Sequence, residues 1–191
     1  MRSDDTRQAV AASPRGRYAK GLAKRAEILQ VALTAYAQAD ESAPTLRSIA
    51  EAVRLTEAGV LHYFGSKDEL LIAILEARDE AAGTTYDLTS REGVFDYLAD
   101  VIRTPGLVRL FVEMTAAASQ PGHPAGTFMT AHGEAVRQIV TSLLGRDDES
   151  AARILLAAAE GLQIQWLRDP SLDVLTDLRR VFDLIVADDK H

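Results

Sequence analysis

The chain has 191 residues, 47% of them hydrophobic and 26% charged, a balance that supports a packed core and excludes global disorder. It contains no cysteine, so disulfides, a thiol nucleophile and thiolate metal sites are all excluded. The net charge of −7 is spread unevenly: residues 1–67 hold 10 Lys and Arg against 7 Asp and Glu, whereas residues 68–191 hold 11 against 21, which is compatible with DNA binding by the N-terminal third alone and equally with a tail charged for solubility.

In chain order, residues 1–19 read as a flexible basic arm. Arg2, Arg7, Arg15 and Arg17 outnumber Asp4 and Asp5 there, and Pro14 with Gly16 discourages regular structure. From Leu22, the positions Leu22, Ala26, Leu29, Ala32, Leu33 and Tyr36 recur at helical spacing, and this helix fades near Asp40 ahead of Pro44. Thr45 is placed to cap a second, short helix that buries Leu46, Ile49, Ala50 and Val53. Thr56 caps a third from Glu57 to about Phe64, and Ser66 with Glu69 forms a capping box that opens a fourth. Five more helical stretches follow at about 91–103, 106–119, 125–144, 149–168 and 171–187, punctuated by Pro105-Gly106, Pro121-Gly122, Gly145 and Pro170. No alternating strand pattern occurs. The fold class is all-α, with about nine helices.

The stretch 45–71, TLRSIAEAVRLTEAGVLHYFGSKDELL, places two short helices three or four residues apart with the second entered through a Thr cap. That is the outline of a helix-turn-helix, whose second helix enters the DNA major groove N-terminus first. Ile49, Ala50 and Val53 pack inward, Leu55 plugs the turn, and Val60, Leu61 and Phe64 anchor the second helix. Thr56, Glu57, Ala58, Gly59, His62 and Tyr63 remain outward, and the small residues at 58 and 59 let the backbone approach a duplex closely.

These residues resemble the TetR family of one-component transcriptional regulators. The likeness runs from about Ala26 to Ala77, through Ile28–Tyr36, Leu46–Ala50 and Leu61–Leu71, with the block Tyr63-Phe64-x-Ser66-Lys67-x-x-Leu70 the most specific. The resemblance implies a helix-turn-helix DNA-binding domain over 20–66 and a helical effector-binding and dimerisation domain over 67–191. It also implies a homodimeric repressor of a palindromic operator, released by an unknown small, mostly apolar effector, with no cofactor. Two positions depart from the pattern: Arg54 stands where many relatives have Gly in the turn, and Leu61 where relatives often carry a phosphate-contacting Tyr. A left-handed Arg54 would cost roughly 1–2 kcal/mol.

With residue types matched to family positions, Lys67 at a helix N-terminus, the hydroxyls of Thr45, Thr56 and Tyr63, and the Arg47 guanidinium are candidates for phosphate contacts. Glu57 can accept from cytosine N4 and Ala58 can meet a thymine methyl; Gly59 and His62 complete the candidate face. Thr45 and Thr56 also serve as caps, and Tyr63 can simply pack. The implied effector pocket draws on Tyr86, Phe95, Phe111, Met114, Phe128, Met129, His132 and Trp166, for each of which plain core packing is the alternative. The implied dimer interface uses Ile154, Leu155, Ala158, Leu162 and Gln165 with Leu175, Leu178, Phe182 and Ile185, two apolar stripes that could equally be monomer core.

An enzyme is the first rival reading. His123 and His132 lie nine apart rather than at a helical metal spacing, and no nucleophile elbow, phosphate-binding loop or dinucleotide fingerprint occurs, so neither catalysis nor a metal site is expected. The second rival is a helical interaction module without sequence-specific DNA binding, which Glu57, Arg54, Leu61 and the acidic total favour. No apolar run approaches the ~18 residues of a membrane span, and the first residues lack the ~7–15-residue apolar stretch of a secretory signal. A cytoplasmic protein is therefore expected.

Overall fold

The computed structural model describes residues 14–40, 42–146 and 148–188, and these form nine helices with no strand among them. The order is α1 (Pro14–Gln38), α2 (Leu46–Ala52), α3 (Glu57–Phe64), α4 (Lys67–Thr85), α5 (Arg91–Val101), α6 (Pro105–Ala118), α7 (Ala125–Leu144), α8 (Glu149–Trp166) and α9 (Val174–Asp188). Among the described residues, no helix is long and apolar enough to cross a membrane.

Helix α1 begins eight residues before the expected Leu22 start. Pro14 opens it because proline at the first helical position lacks only a donor that would have had no partner there. The basic arm expected over 1–19 is thus helical from residue 14, while residues 1–13 lie outside the described residues. Leu22 and Ala26, expected on the packed face, are exposed, and the buried face is Ile28, Ala32 and Tyr36. Burial, with Glu113 nearby, pushes the Tyr36 hydroxyl up to about 12, so the phenol stays neutral in the core.

One apolar core joins α1–α4 to α6 and the start of α7. Ile28 and Tyr36 of α1 meet Ile49 and Val53 around α2, Val60 and Phe64 of α3, Leu70 and Ile74 of α4, and Leu110 and Met114 of α6. Helix α6 docks on α1 without room for a side chain at its start: a Cβ on Gly106 would lie 2.2 Å from the Tyr36 carbonyl oxygen. Arg109 Nη1 then donates to the Asp40 carbonyl at 2.7 Å, pinning the end of α1 to the second half of the molecule.

Helices α7, α8 and α9 complete the body, with α8 packed against both neighbours. Asp148 caps α8 by accepting from Ala151 N–H at 2.9 Å. Helix α9 begins at Val174, later than the expected 171, because the Asp173 carboxylate accepts from Thr176 N–H at 3.1 Å and sets the cap there.

Candidate DNA interface and effector cavity

The turn between α2 and α3 is built from local chemistry. Thr45 Oγ1 accepts from Ser48 N–H at 3.0 Å while Thr45 N–H donates to Ser48 Oγ at 3.1 Å, a reciprocal box at the start of α2. At the other end, Leu55 N–H reaches back to the Ala50 carbonyl at 2.8 Å and Arg54 N–H to the Glu51 carbonyl at 3.1 Å. That pair is a Schellman stop, and it places Arg54 in the left-handed region at φ +57°, the one such non-glycine among the described residues. The cost of roughly 1–2 kcal/mol is therefore incurred. Lys24 Nζ donates to the Val53 carbonyl at 2.8 Å, tying α1 onto the same turn and helping to hold it.

Thr56 then caps α3, its Oγ1 accepting from Gly59 N–H at 3.0 Å. Each capping threonine uses its oxygen as acceptor and keeps its own hydroxyl hydrogen for a further partner, so capping and phosphate contact are compatible. Val60 and Phe64 hold α3 to the core and Tyr63 packs half-buried against it, while Thr56, Glu57, Ala58 and His62 face solvent. Leu61, expected as an anchor, is only partly covered and stands outside the core cluster, about 100° around the helix from the buried Val60. Gly59 is half-buried, its missing Cβ leaving 3.3 Å to Thr56 Oγ1.

Gly65 ends α3 at φ +86°, with the Glu69 carboxylate folded over it where any Cβ would stand. Ser66 Oγ accepts from Glu69 N–H at 3.1 Å, so the expected capping box is half made: Glu69 covers Gly65 instead of returning to Ser66. Lys67 is exposed at the first position of α4. Arg47 is exposed too, but its Nε donates to Glu51 at 2.9 Å. The hydrogen bond to Glu51, then the charges of Glu51 and Glu57, raise the Arg47 pKa. That bond uses one of the five guanidinium donors, and the Glu51 charge beside it competes with a phosphate for the rest.

Sequence reasoning did not single out Glu51, nor the bracing roles of Lys24 and of Arg25, whose guanidinium lies 4.6 Å from the Phe64 ring centre. Helical i, i+4 spacing from Arg47 was the available signal for Glu51; the bracing contacts depend on tertiary packing and had none.

The body holds a half-open cavity of about 360 Å³ walled by α4, α5, α7, α8 and α9. Phe95 and His132, both expected pocket residues, line it; Phe111 lines a smaller neighbouring chamber of about 90 Å³. Tyr86, Met114, Phe128, Met129 and Trp166 lie outside both linings. Met114 is committed to the core shared with α1 and α4, Phe128 and Met129 pack on its edge, and Tyr86 donates to Asp100 near the surface. Most of the wall is aliphatic, including Val136, Ile139 and Val140 of α7.

At one end of the cavity sits a polar cluster. Arg78 Nε and Nη2 both donate to Asp79 Oδ1 at 3.0 and 2.7 Å, and His132 Nδ1 lies 2.7 Å from Asp79 Oδ2. Burial alone would raise the Asp79 carboxyl, but the His132 hydrogen bond and the Arg78 charge outweigh it and hold the group below its ordinary value. The pair ties α4 to α7 across the cavity. Burial pushes the nearby Glu160 carboxyl up, opposed by His132. His123 Nε2 makes a second α4 contact, 3.4 Å from Asp68. Among the described residues, no three acidic or histidine side chains gather as a metal site.

The expected dimer stripes divide between two environments. Leu155, Leu178 and Phe182 turn inward and line the cavity, so they are not available to a second chain. Ala158, Leu162, Leu175 and Ile185 are partly covered, and Gln165 is exposed. The outward apolar positions are Ile154 and Ile164 on α8 with Leu184 and Val186 on α9, of which only Ile154 was anticipated. Both helices carry apolar residues on more than one face, and spacing alone does not say which face turns in.

Residues 28–74 match the family model described as bacterial regulatory proteins, tetR family. A TetR transcriptional regulator from Rhodococcus sp. RHA1 superposes with a TM-score of 0.63 at 21% identity, covering 87% of this chain and 98% of its own. NalD, the secondary repressor of the MexAB-OprM multidrug efflux pump in Pseudomonas aeruginosa, gives 0.55 at 19% identity over 86% and 95%. A TetR-family protein from Streptomyces coelicolor A3 gives 0.54 at 20% identity over 83% and 97%. The search of curated proteins finds no match.

Proposed function

We propose that this chain, which belongs to the TetR family of bacterial regulatory proteins through its residues 28–74, is a homodimeric repressor that a small apolar effector releases from a palindromic operator. The observation that carries the DNA-binding half is the bare outward face of α3, with Thr56, Glu57 and Ala58 exposed at the leading end and His62 in the last turn of a helix otherwise anchored in the core. Small residues there permit close approach to base edges, and Glu57 is suited to cytosine N4. Thr45, Arg47, Thr56, Tyr63 and Lys67 fall to the phosphates, with Gly59 keeping the backbone near the groove. In this division of roles residues 20–66 read DNA and residues 67–191 sense and dimerise.

Two recognition helices require two chains, and Ile154, Ile164, Leu184 and Val186 supply the exposed apolar surface for that contact. The cavity of about 360 Å³, mostly apolar with a few polar groups, suits a small effector. Because Asp79 of α4 and His132 of α7 meet at its wall, an occupant bears on the position of α4, whose first turn follows directly from α3. Differential affinity for the two positions of α4 would then shift the spacing of the recognition helices.

Gel-shift titrations with genomic fragments at two salt concentrations test the DNA reading. Lys67→Ala should weaken binding evenly across fragments and reduce the slope of log affinity against log salt by about one phosphate. An unchanged slope removes Lys67 from the interface. Equal, weak binding of the unaltered chain to every fragment would favour the interaction-module alternative.

A further inference from the structure

Helix α1 overhangs the core it helps to build. Among its described residues the first buried side chain is Ile28, and within 18–27 only Gly21 and Lys24 are even partly covered. Gly21 lies two turns before Ile28 on the same face, and a Cβ there would meet nothing within 4 Å. One turn ahead of Lys24, the inward face of α1 therefore meets no other part of the described chain. This overhang is basic: residues 14–25 carry Arg15, Arg17, Lys20, Lys24 and Arg25 and no carboxylate. Lys20 and Lys24 stand at i, i+4, a like-charge spacing that disfavours a helix left to itself.

Lys24 fixes where the overhang lies. Its Nζ donates to the Val53 carbonyl at 2.8 Å, which sets α1 against the α2–α3 turn, and Lys20 stands one turn beyond. Arg54 follows Val53 in that turn, exposed and left-handed. Among the described residues, neither Lys20 nor the Arg54 side chain has a hydrogen bond or ion pair. The nearby carboxylates are committed elsewhere, Glu27 to Lys24 and Glu51 to Arg47. An arginine at a position that glycine fills without strain, and that meets nothing in its own chain, incurs its backbone cost with no return from the fold. Thr56, which opens the exposed leading end of α3, is two residues further on. Both unpartnered cations thus border the surface proposed for DNA.

Resting on the DNA reading, we infer that Lys20 and Arg54 form one basic edge that takes backbone phosphates beside the groove α3 enters, in addition to the contacts already proposed. Long cations on phosphates respond to charge and not to base identity, so this edge adds affinity without changing sequence preference.

Fluorescence anisotropy of the full chain with the genomic fragment it binds most tightly, measured from ~50 to ~200 mM salt, tests this. Lys20→Gln and Arg54→Gly should each make the slope of log affinity against log salt shallower by about 0.9 per bound chain, so each variant's deficit shrinks about threefold per chain over that range. The charge-keeping Lys20→Arg should restore the parental slope. Arg54→Gly should bind DNA more weakly while raising the denaturation midpoint, a pair of opposite changes that misfolding does not produce. Arg103→Gln removes an equal charge from the exposed surface of the body and should leave the slope unchanged. An unchanged slope in either Lys20→Gln or Arg54→Gly, or an equal change in Arg103→Gln, overturns the inference and leaves the α3 reading standing. If the unaltered chain binds no fragment, the inference falls together with the DNA reading.

Discussion

The helix-turn-helix end and the body of this molecule are both helical, yet they are specified by different kinds of chemistry. Around α2 and α3 the structure rests mainly on contacts between residues three to five apart: Thr45 with Ser48, Leu55 with Ala50, Thr56 with Gly59, Ser66 with Glu69, braced from α1 by Lys24. In the body, the decisive contacts join distant segments, such as Asp79 with His132 and Arg109 with Asp40. The first region is filled by a solid core, whereas the second holds a half-open cavity of about 360 Å³. Rigid local construction suits a surface that must present fixed atoms to DNA. A body with a cavity, held by long-range pairs, suits the proposed response to an occupant.

The sharpest way to break this contrast is on α9, where Leu178 and Leu184 sit less than two turns apart but face opposite ways. Leu178→Ala should destabilise the fold by about 2–4 kcal/mol, because it removes a buried cavity wall, and should leave self-association unchanged. Leu184→Ala, at a position 63% exposed, should leave monomer stability nearly unchanged and weaken association. Denaturation and sedimentation distinguish the two; a reversed pattern would mean that the inward and outward faces are misassigned.

A smaller effect is expected at the Asp79 pair. Asp79→Asn should cost about 1–3 kcal/mol at neutral pH, between the values for exposed and buried pairs. The native carboxyl is held below its ordinary 3.8, so its contribution is present above that pH and is lost as pH falls through the folded value. The stability gap between variant and parent should therefore close in acid. A gap that persists unchanged below the ordinary carboxylate range would show that the cost is one of packing.

Smaller still is the turn. Arg54→Gly should stabilise the fold by about 1 kcal/mol by removing a left-handed non-glycine, seen as a higher denaturation midpoint at unchanged slope. A loss of stability would mean that Arg54 makes contacts worth more than the backbone cost.

The same contrast explains what the sequence made legible. Helix α3 runs Glu57–Phe64 as its Thr cap and apolar spacing implied, and α7 runs Ala125–Leu144 between its proline and glycine signals. Positive φ at Arg54 was foreseeable because the turn type demands it there. The inward turn of Leu155, Leu178 and Phe182 was not, since an apolar residue on a two-faced helix looks alike whether it meets its own chain or another. Aromatic and thioether side chains drew attention to Phe128 and Met129, while the cavity wall is largely plain aliphatics such as Val136 and Ile139, which carry no chemical flag. Asp79 escaped notice because nothing in its neighbourhood in sequence announces a partner 53 residues away. Pro14 was read as a breaker where it is an opener.

The most direct test of the central claim is selection of duplexes bound by the purified chain from a random pool. The account predicts an inverted repeat whose half-sites lie one helical turn, or a multiple of it, apart, and a Glu57→Ala variant whose preference changes by about 1–3 kcal/mol at one base pair per half-site. A pool that emerges unenriched, or enriched only in a single unrepeated motif, would contradict it.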